Sequence, residues 1–324
     1  TIASPEVEEA LAASPIDPPT IRMTFGVNDS PLAGLEGTQL TGSKLGDRLK
    51  AEAESNVSIK VSNVGEGSKS GDAYEVQGRG ELQLGVLIET MRREGFEMSI
   101  SPPVVIYRTD EETGAKMEPI EEVVVELEEA HCGAVIEALT LRKAELVEMV
   151  PDAGEGGRTR LVFMCPSRGL LGYRGTFATT TQGTGIMHRS FNAYEPMKGT
   201  LSQVRKGVII SMAKGATTLH ALGALESRGV LFVDPQVDTY EGMIIGEHSR
   251  DGDLEVNPCK EKKLTNMRAS GTDETIRLTP PRRLGLEEAM GYVASDEMIE
   301  VTPSAIRLRK RILSANQRKR AEKK

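Results

Sequence analysis

Tryptophan is absent from this 324-residue chain, and aromatic residues make up only 4% of it. That argues against a surface that stacks several bases on aromatic rings, so any nucleic-acid contact should be mainly electrostatic. Cysteine is scarce. Cys132, Cys165 and Cys259 are odd in number and far apart. No CxxC pair or other metal-ligand spacing joins them, so they read as reduced thiols. No apolar run approaches the roughly 18 residues that a membrane span needs. The phosphate-loop pattern GxxxxGK[ST] is also missing. Gly65-Glu66-Gly67-Ser68-Lys69-Ser70-Gly71 imitates it in composition, but with the wrong spacing and between two strands rather than from a strand into a helix. The chain should therefore neither bind nor hydrolyse GTP. His131, His188, His220 and His248 are scattered, with no HExxH frame and no GxSxG elbow. No catalytic set stands out, and no metal or cofactor is expected in this chain.

Charge is plentiful but unevenly placed. The net charge is -8. Residues 304–324 hold nine Lys or Arg against a single acid, Glu322, so that segment carries +8 and the remainder -16. A basic end on an acidic body suggests a localised contact with a polyanion.

Two repeats follow an Ala/Pro/Glu-rich opening, residues 1–19, which reads as a linker from a missing N-terminal half. Thr1 rather than Met at the start fits that expectation. Alternation at Ile21, Met23 and Phe25 predicts a strand. Leu45, Leu49 and Ala53 predict a helix within Thr41–Asn56. Strands are expected around Val57–Val61 and Tyr74–Val76, then a helix with Leu84, Leu87, Ile88 and Met91 on one face, stopped by Gly95. Phe96, Met98 and Ile100 close a βαββαβ order. The order recurs: a strand at Val123–Leu127, a helix at Cys132–Leu139, strands at Leu146–Val150 and Leu161–Phe163, a weaker helix at Gly169–Thr180, and a strand at Ile186–Tyr194. The reading is an α+β chain with two tandem ferredoxin-like domains, 20–103 and 104–195. A mixed, β-rich domain, 196–324, ends in a basic helix begun by Thr302 and Pro303.

Two stretches could meet phosphates. Gly246–Ser270 includes a polar, basic loop with Lys260, Lys262, Lys263 and Arg268, where cations neutralise phosphates and Asn266 can donate to backbone oxygens. The terminal run adds Arg307, Arg309, Lys310 and Arg311, with cations turned outward from the expected helix. A solvated loop and a soluble tail account for the same compositions. Arg92 and Arg93 in the last turn of a helix are explained by its dipole alone.

The strings Val76-Gln77-Gly78-Arg79-Gly80-Glu81-Leu82 and Leu87 through Glu97 resemble domain III of TypA/BipA translational GTPases. Pro166 through Arg174, with Thr181-Gln182-Gly183-Thr184-Gly185, is similar to the domain V shared with elongation factor G. Gly246–Ser270, Gly271-Thr272-Asp273-Glu274, Val301-Thr302-Pro303-Ser304 and Ile306-Arg307 resemble the C-terminal domain found only in TypA/BipA. The likeness runs from about Ile21 to Arg311. Gly42, Gly46 and Ala51 stand where the family usually has a more basic helix, and the Gly65–Gly71 loop looks longer than usual. These departures fit a divergent member, bacterial or organellar.

The resemblance implies a GTPase whose missing N-terminal half carries GTP and Mg. It implies docking on a bacterial-type 70S ribosome, in a bacterial cytoplasm, chloroplast stroma or mitochondrial matrix, with contacts to rRNA and the tRNA acceptor end. It also implies roles in large-subunit assembly and stress adaptation, without membrane contact and as a monomer off the ribosome. On that basis His248, Arg250, Lys260, Lys262, Lys263, Asn266 and Arg268 are the expected RNA contacts. A competing reading is a protein-interaction or chaperone-like module that uses acidic sheet faces around Glu121–Glu129. An unrecognised enzyme would need a convergent acid–base pair, which the sequence does not offer.

Overall fold

The computed structural model describes residues 17–64, 73–151, 158–201, 205–261 and 277–321. The first repeat forms β1 (Ile21–Val27), α1 (Gly42–Ser55), β2 (Lys60–Asn63), β3 (Ala73–Gly78), α2 (Glu81–Arg93) and β4 (Met98–Ile100). Its strands lie in the order β4-β1-β3-β2, all antiparallel. The alternating side chains Ile21, Met23, Phe25 and Val76 are buried against Leu45 and Leu49 of α1 and Leu84, Ile88 and Met91 of α2. Tyr74 lies close to α1 because position 46 is glycine: a Cβ there would fall 2.1 Å from the ring hydroxyl. Gly95, at φ +90°, ends α2 as expected.

The second repeat follows β5 (Val104–Val105), which pairs with β1, and β6 (Arg108–Thr109). It comprises β7 (Lys116–Glu128), α3 (Glu129–Leu141), β8 (Glu145–Pro151), β9 (Arg158–Pro166), α4 (Ser167–Leu170), α5 (Tyr173–Thr180) and β10 (Ile186–Pro196). The order is β10-β7-β9-β8, again antiparallel. Val123, Val125, Leu161 and Phe163 meet Cys132, Val135 and Leu139 in a separate core. Where one helix was expected over Gly169–Thr180, two short ones form. The break is at Gly172, whose φ of +68° favours glycine, and whose Cβ would lie 2.7 Å from the Gly291 carbonyl oxygen.

The remaining chain supplies β11 (Val208–Ser211), β12 (Gly215–Ala216), α6 (Leu219–Glu226), β13 (Gly229–Leu231), β14 (Asp238–Thr239), β15 (Met243–His248) and β16 (Leu254–Val256). Then come α7 (Leu286–Tyr292), β17 (Glu297–Val301), β18 (Ile306–Lys310) and α8 (Ala315–Ala321). The expected basic helix from Thr302 is corrected here. Residues 306–310 are a strand, and the helix begins only at Ala315. The physical reason is alternation: Leu308 enters the main core, while Arg307 and Arg309 turn to the other side, where carboxylates meet them. Thr302 caps no helix; its N–H and hydroxyl both donate to the Ala305 carbonyl at 2.9 Å. The short apolar alternation at Ile276 and Leu278 suggests a strand, but Arg277 and Leu278 lie in none. No expectation had been drawn for α7 or β17.

The third unit does not keep to itself. β17 pairs with β4, so the sheet runs β16-β11-β15-β18-β17-β4-β1-β3-β2 across the first and third units. Ile299, Val301 and Leu308 share one core with Met98 and Ile100. Polar links reinforce this seam. The buried Glu300 carboxylate accepts from Asn28 Nδ2 at 3.2 Å, Ser30 Oγ at 2.9 Å, Tyr240 OH at 2.6 Å and Arg307 Nη1 at 3.1 Å. Beside it, Glu97 accepts backbone N–H bonds from Gly34 at 2.7 Å, Glu36 at 2.9 Å and Gly37 at 2.6 Å. Burial works against its charge, but these donors outweigh it and hold the carboxyl below the ordinary carboxylate range.

Candidate nucleic-acid interface

β15 ends at His248 and β16 starts at Leu254, so residues 249–253 form the tip between them. The tip is held from two sides. His248 N–H donates to the Gly207 carbonyl at 2.8 Å, and Gly207 N–H donates to the Arg250 carbonyl at 3.2 Å. Ser249 donates to the Arg228 carbonyl through both its N–H and its hydroxyl, each at 2.8 Å. His248 Nδ1 lies 2.9 Å from the Gly252 carbonyl. A carbonyl can only accept, so Nδ1 carries the proton. Ser227, Arg228, His248, Ser249, Arg250 and Leu254 line a cleft of about 420 Å³ here. Arg228 and Arg250 are exposed, and neither has an acidic partner among the described residues.

Lys260 lies on the next turn of chain. Its carbonyl accepts from Thr218 Oγ1 at 2.7 Å, while Thr218 N–H donates to the Pro258 carbonyl at 3.0 Å. The same Thr218 caps α6, its hydroxyl accepting from Ala221 N–H. This pins the base of the basic loop to a helix start and leaves the Lys260 side chain exposed. Lys262, Lys263, Asn266 and Arg268 lie outside the described residues.

The terminal cations divide sharply. Arg309 is only 1% exposed, paired with Asp29 and donating to Ser99 Oγ at 3.0 Å. Lys310 is 3% exposed and meets Asp253 at 2.6 Å, Asp296 at 2.7 Å and Glu297 at 3.0 Å. Burial opposes the lysine's charge, but the three carboxylates win and raise its pKa. Arg307 is paired with Glu36 and Glu300. The expectation that these three cations face outward is therefore corrected: they sit on a strand beside carboxylates of their own fold. Arg311 stays exposed. In α8, Arg318 and Lys319 both meet Glu255, at 2.8 Å and 3.3 Å, and Arg320 is exposed.

Within the acidic stretch of the competing reading, Glu121 is buried and binds Arg189 at 2.9 Å, while Glu128 and Glu129 are exposed. The cysteines are isolated. Burial first, then the Glu121 charge, pushes the Cys165 thiol up to about 12, which leaves it inert. Among the described residues, no cluster of three His, Cys, Asp or Glu side chains is placed to hold a metal ion. No described helix is long and apolar enough to cross a membrane. Sequence reasoning missed Arg228, because one arginine after a short helix carries no pattern; only the fold brings it beside Arg250.

Comparisons with known proteins bear on the same region. The family model for the TypA/BipA C-terminal domain matches residues 206–315, and the model for the elongation factor G C-terminus matches residues 115–213. Over all 324 residues the chain is 48% identical to the large ribosomal subunit assembly factor BipA of Haemophilus influenzae and to that of Salmonella typhimurium. It is 46% identical to the Synechocystis protein of the same name over 310 residues, 96% of the chain. The chain spans about half the length of these curated relatives: 51%, 52% and 51% respectively.

Proposed function

The chain belongs to the TypA/BipA family, and from that premise we propose that it is the ribosome-binding C-terminal half of a translational GTPase acting in large-subunit assembly. On this reading GTP and Mg bind the N-terminal half of the parent protein. This part docks on the bacterial-type 70S ribosome and touches rRNA and the tRNA acceptor end. Its three units are 20–103 and 104–195, which resemble domains III and V of elongation factor G, and the family-specific 196–324. A role in stress adaptation belongs to the same proposal.

One observation carries the RNA assignment. Within the third unit, Arg205, Arg307, Arg309 and Lys310 are neutralised by carboxylates of the fold, whereas Arg250, Lys260 and Arg311 stay exposed. An acidic chain that leaves cations exposed beside one loop offers that loop to a polyanion. His248, Lys262, Lys263, Asn266 and Arg268 complete the proposed contact. A protein-interaction module is favoured less, because Glu121 is already paired with Arg189 inside the second repeat.

The test is co-sedimentation with bacterial 70S ribosomes across a salt series, comparing the chain with Lys262→Ala/Lys263→Ala. Each lost phosphate contact should lower the log–log salt slope by roughly 0.7 to 0.9. The double variant should bind more weakly with a shallower slope and an unchanged melting temperature. Unchanged binding would remove the loop from the interface.

A further inference from the structure

The cleft beneath the 249–253 tip has a feature that the basic-loop reading does not use. Two arginines from distant stretches open into it without an acidic partner among the described residues: Arg228, just past α6, and Arg250 on the tip. Their backbones are fixed to each other. The Arg228 carbonyl accepts both bonds from Ser249, Arg228 N–H donates to the Leu225 carbonyl at 2.8 Å, and Gly229 pairs with His248 in the β13–β15 ladder. Arg250 is held on the other side through Gly207. A guanidinium on a fixed backbone loses less freedom on binding, and its planar fork fits two oxygens of one phosphate.

The nearby carboxylates are directed elsewhere. Glu247 meets Arg282 at 3.7 Å, Glu226 accepts from Thr279 N–H at 2.7 Å, and Asp253 binds Lys310. Asp251 lines the neighbouring depression with Arg205 and Lys206, not this cleft. The cleft is therefore lined by two arginines, His248, two serines and Leu254. That composition suits an anion that accepts several hydrogen bonds and suits a cation poorly. The position of Arg228 after a helix also favours its charge, but that does not explain why a second arginine faces the same cleft.

We propose that Arg228 and Arg250 grip one backbone phosphate of RNA between them, making this cleft a fixed anchor for the RNA that the third unit meets. The proposal rests on the ribosome-binding reading and adds to it a residue, Arg228, and a ligand, a single phosphodiester.

The experiment is the same ribosome co-sedimentation series with Arg228→Ala, Arg228→Lys, Arg250→Ala and the Arg228→Ala/Arg250→Ala pair, each checked for an unchanged melting temperature. Arg228→Ala should weaken binding about tenfold and lower the salt slope by ~0.7 to 0.9, one phosphate's worth. The pair should lower the slope no further, and Arg228→Lys should fall between, because a point charge replaces the fork. Three outcomes would overturn the proposal. Arg228→Ala without effect beside a weakened Arg250→Ala would leave the loop reading standing and remove the cleft. A second equal drop in slope for the pair would put the arginines on separate phosphates. Weaker binding with an unchanged slope would mean an acidic protein segment rather than RNA. No ribosome binding by the unaltered chain would instead sink the reading beneath it.

Discussion

Arg309 and Arg250 show how little residue type alone says about role. Both are arginines in the C-terminal unit and both were expected at RNA. One is 1% exposed and tied to Asp29 and Ser99; the other is exposed at the tip of a turn. Arg309→Ala should lower unfolding stability by about 2–4 kcal/mol, by leaving a cavity and breaking the Ser99 bond. The ion pair adds little to that figure, since Asp29 lies at the surface. Urea denaturation gives the stability, and ribosome co-sedimentation of the folded fraction should be unchanged. Normal stability with weakened binding would return Arg309 to the interface. Tyr240 shows the same inward use of polar groups: burial and the neighbouring Glu300 raise its pKa, and its hydroxyl stays a donor to that carboxylate.

Among the elements, the informative pair is β4 and β17. β4 was expected as the closing strand of a self-contained domain. Instead Ile100 faces Ile299 and Met98 faces Val301 across a ladder that joins the first and third units. A chain ending at Pro196 would strip this edge and remove Ile299, Val301 and Leu308 from the core, at about 1.5–3 kcal/mol for each buried side chain. It would also leave Asn28 and Ser30 without Glu300. Hydrogen exchange on that shortened chain should show loss of protection in β1, β3 and β4, with β7, β9 and β10 still protected. Full protection of β4 would disprove the shared core. The ladder was not legible because the period-2 pattern of Met98 and Ile100 shows that a strand exists, not which strand lies beside it. The misread at residues 306–310 has a related cause. Ile-Arg-Leu-Arg-Lys fits a cationic helix by composition, and carboxylates from outside the strand, near ones such as Glu300 and Asp296 and others more than two hundred residues away such as Asp29 and Glu36, let it be buried.

At the scale of the whole molecule, all three units meet around Glu81. Its carboxylate accepts from Gly172 N–H of the second unit at 2.8 Å and lies 3.7 Å from Arg189, while Gly172 packs against Gly291 of the third. Burial, more than any neighbour, raises its pKa; Gly172 and Arg189 oppose this, and Glu121 and Glu287 add to it. A raised carboxyl pKa contributes stability that is complete below the ordinary value of about 4.3 and is lost as pH rises through the folded value. Glu81→Gln keeps an acceptor for Gly172 and cannot titrate. Its stability relative to the unaltered chain should therefore rise as pH climbs above the ordinary carboxylate value and level off once the folded carboxyl has titrated, as thermal melts across a pH series would show. A difference that stays flat would mean the carboxylate is better solvated than its position implies.

The sequence by itself determined the two βαββαβ repeats, the stop of α2 at Gly95, the family, and the basic stretch that begins at Lys260. Each is encoded locally, in periodicity, in a residue suited to positive φ, or in contiguous strings. Tertiary structure alone decided that the first and third units share one sheet, that Arg307, Arg309 and Lys310 turn inward, and that Arg228 stands beside Arg250. Those outcomes depend on which carboxylate or strand edge arrives from a distant part of the chain. A charge is stable in the interior only where its partner is already placed, and one sequence read in order does not state that placement.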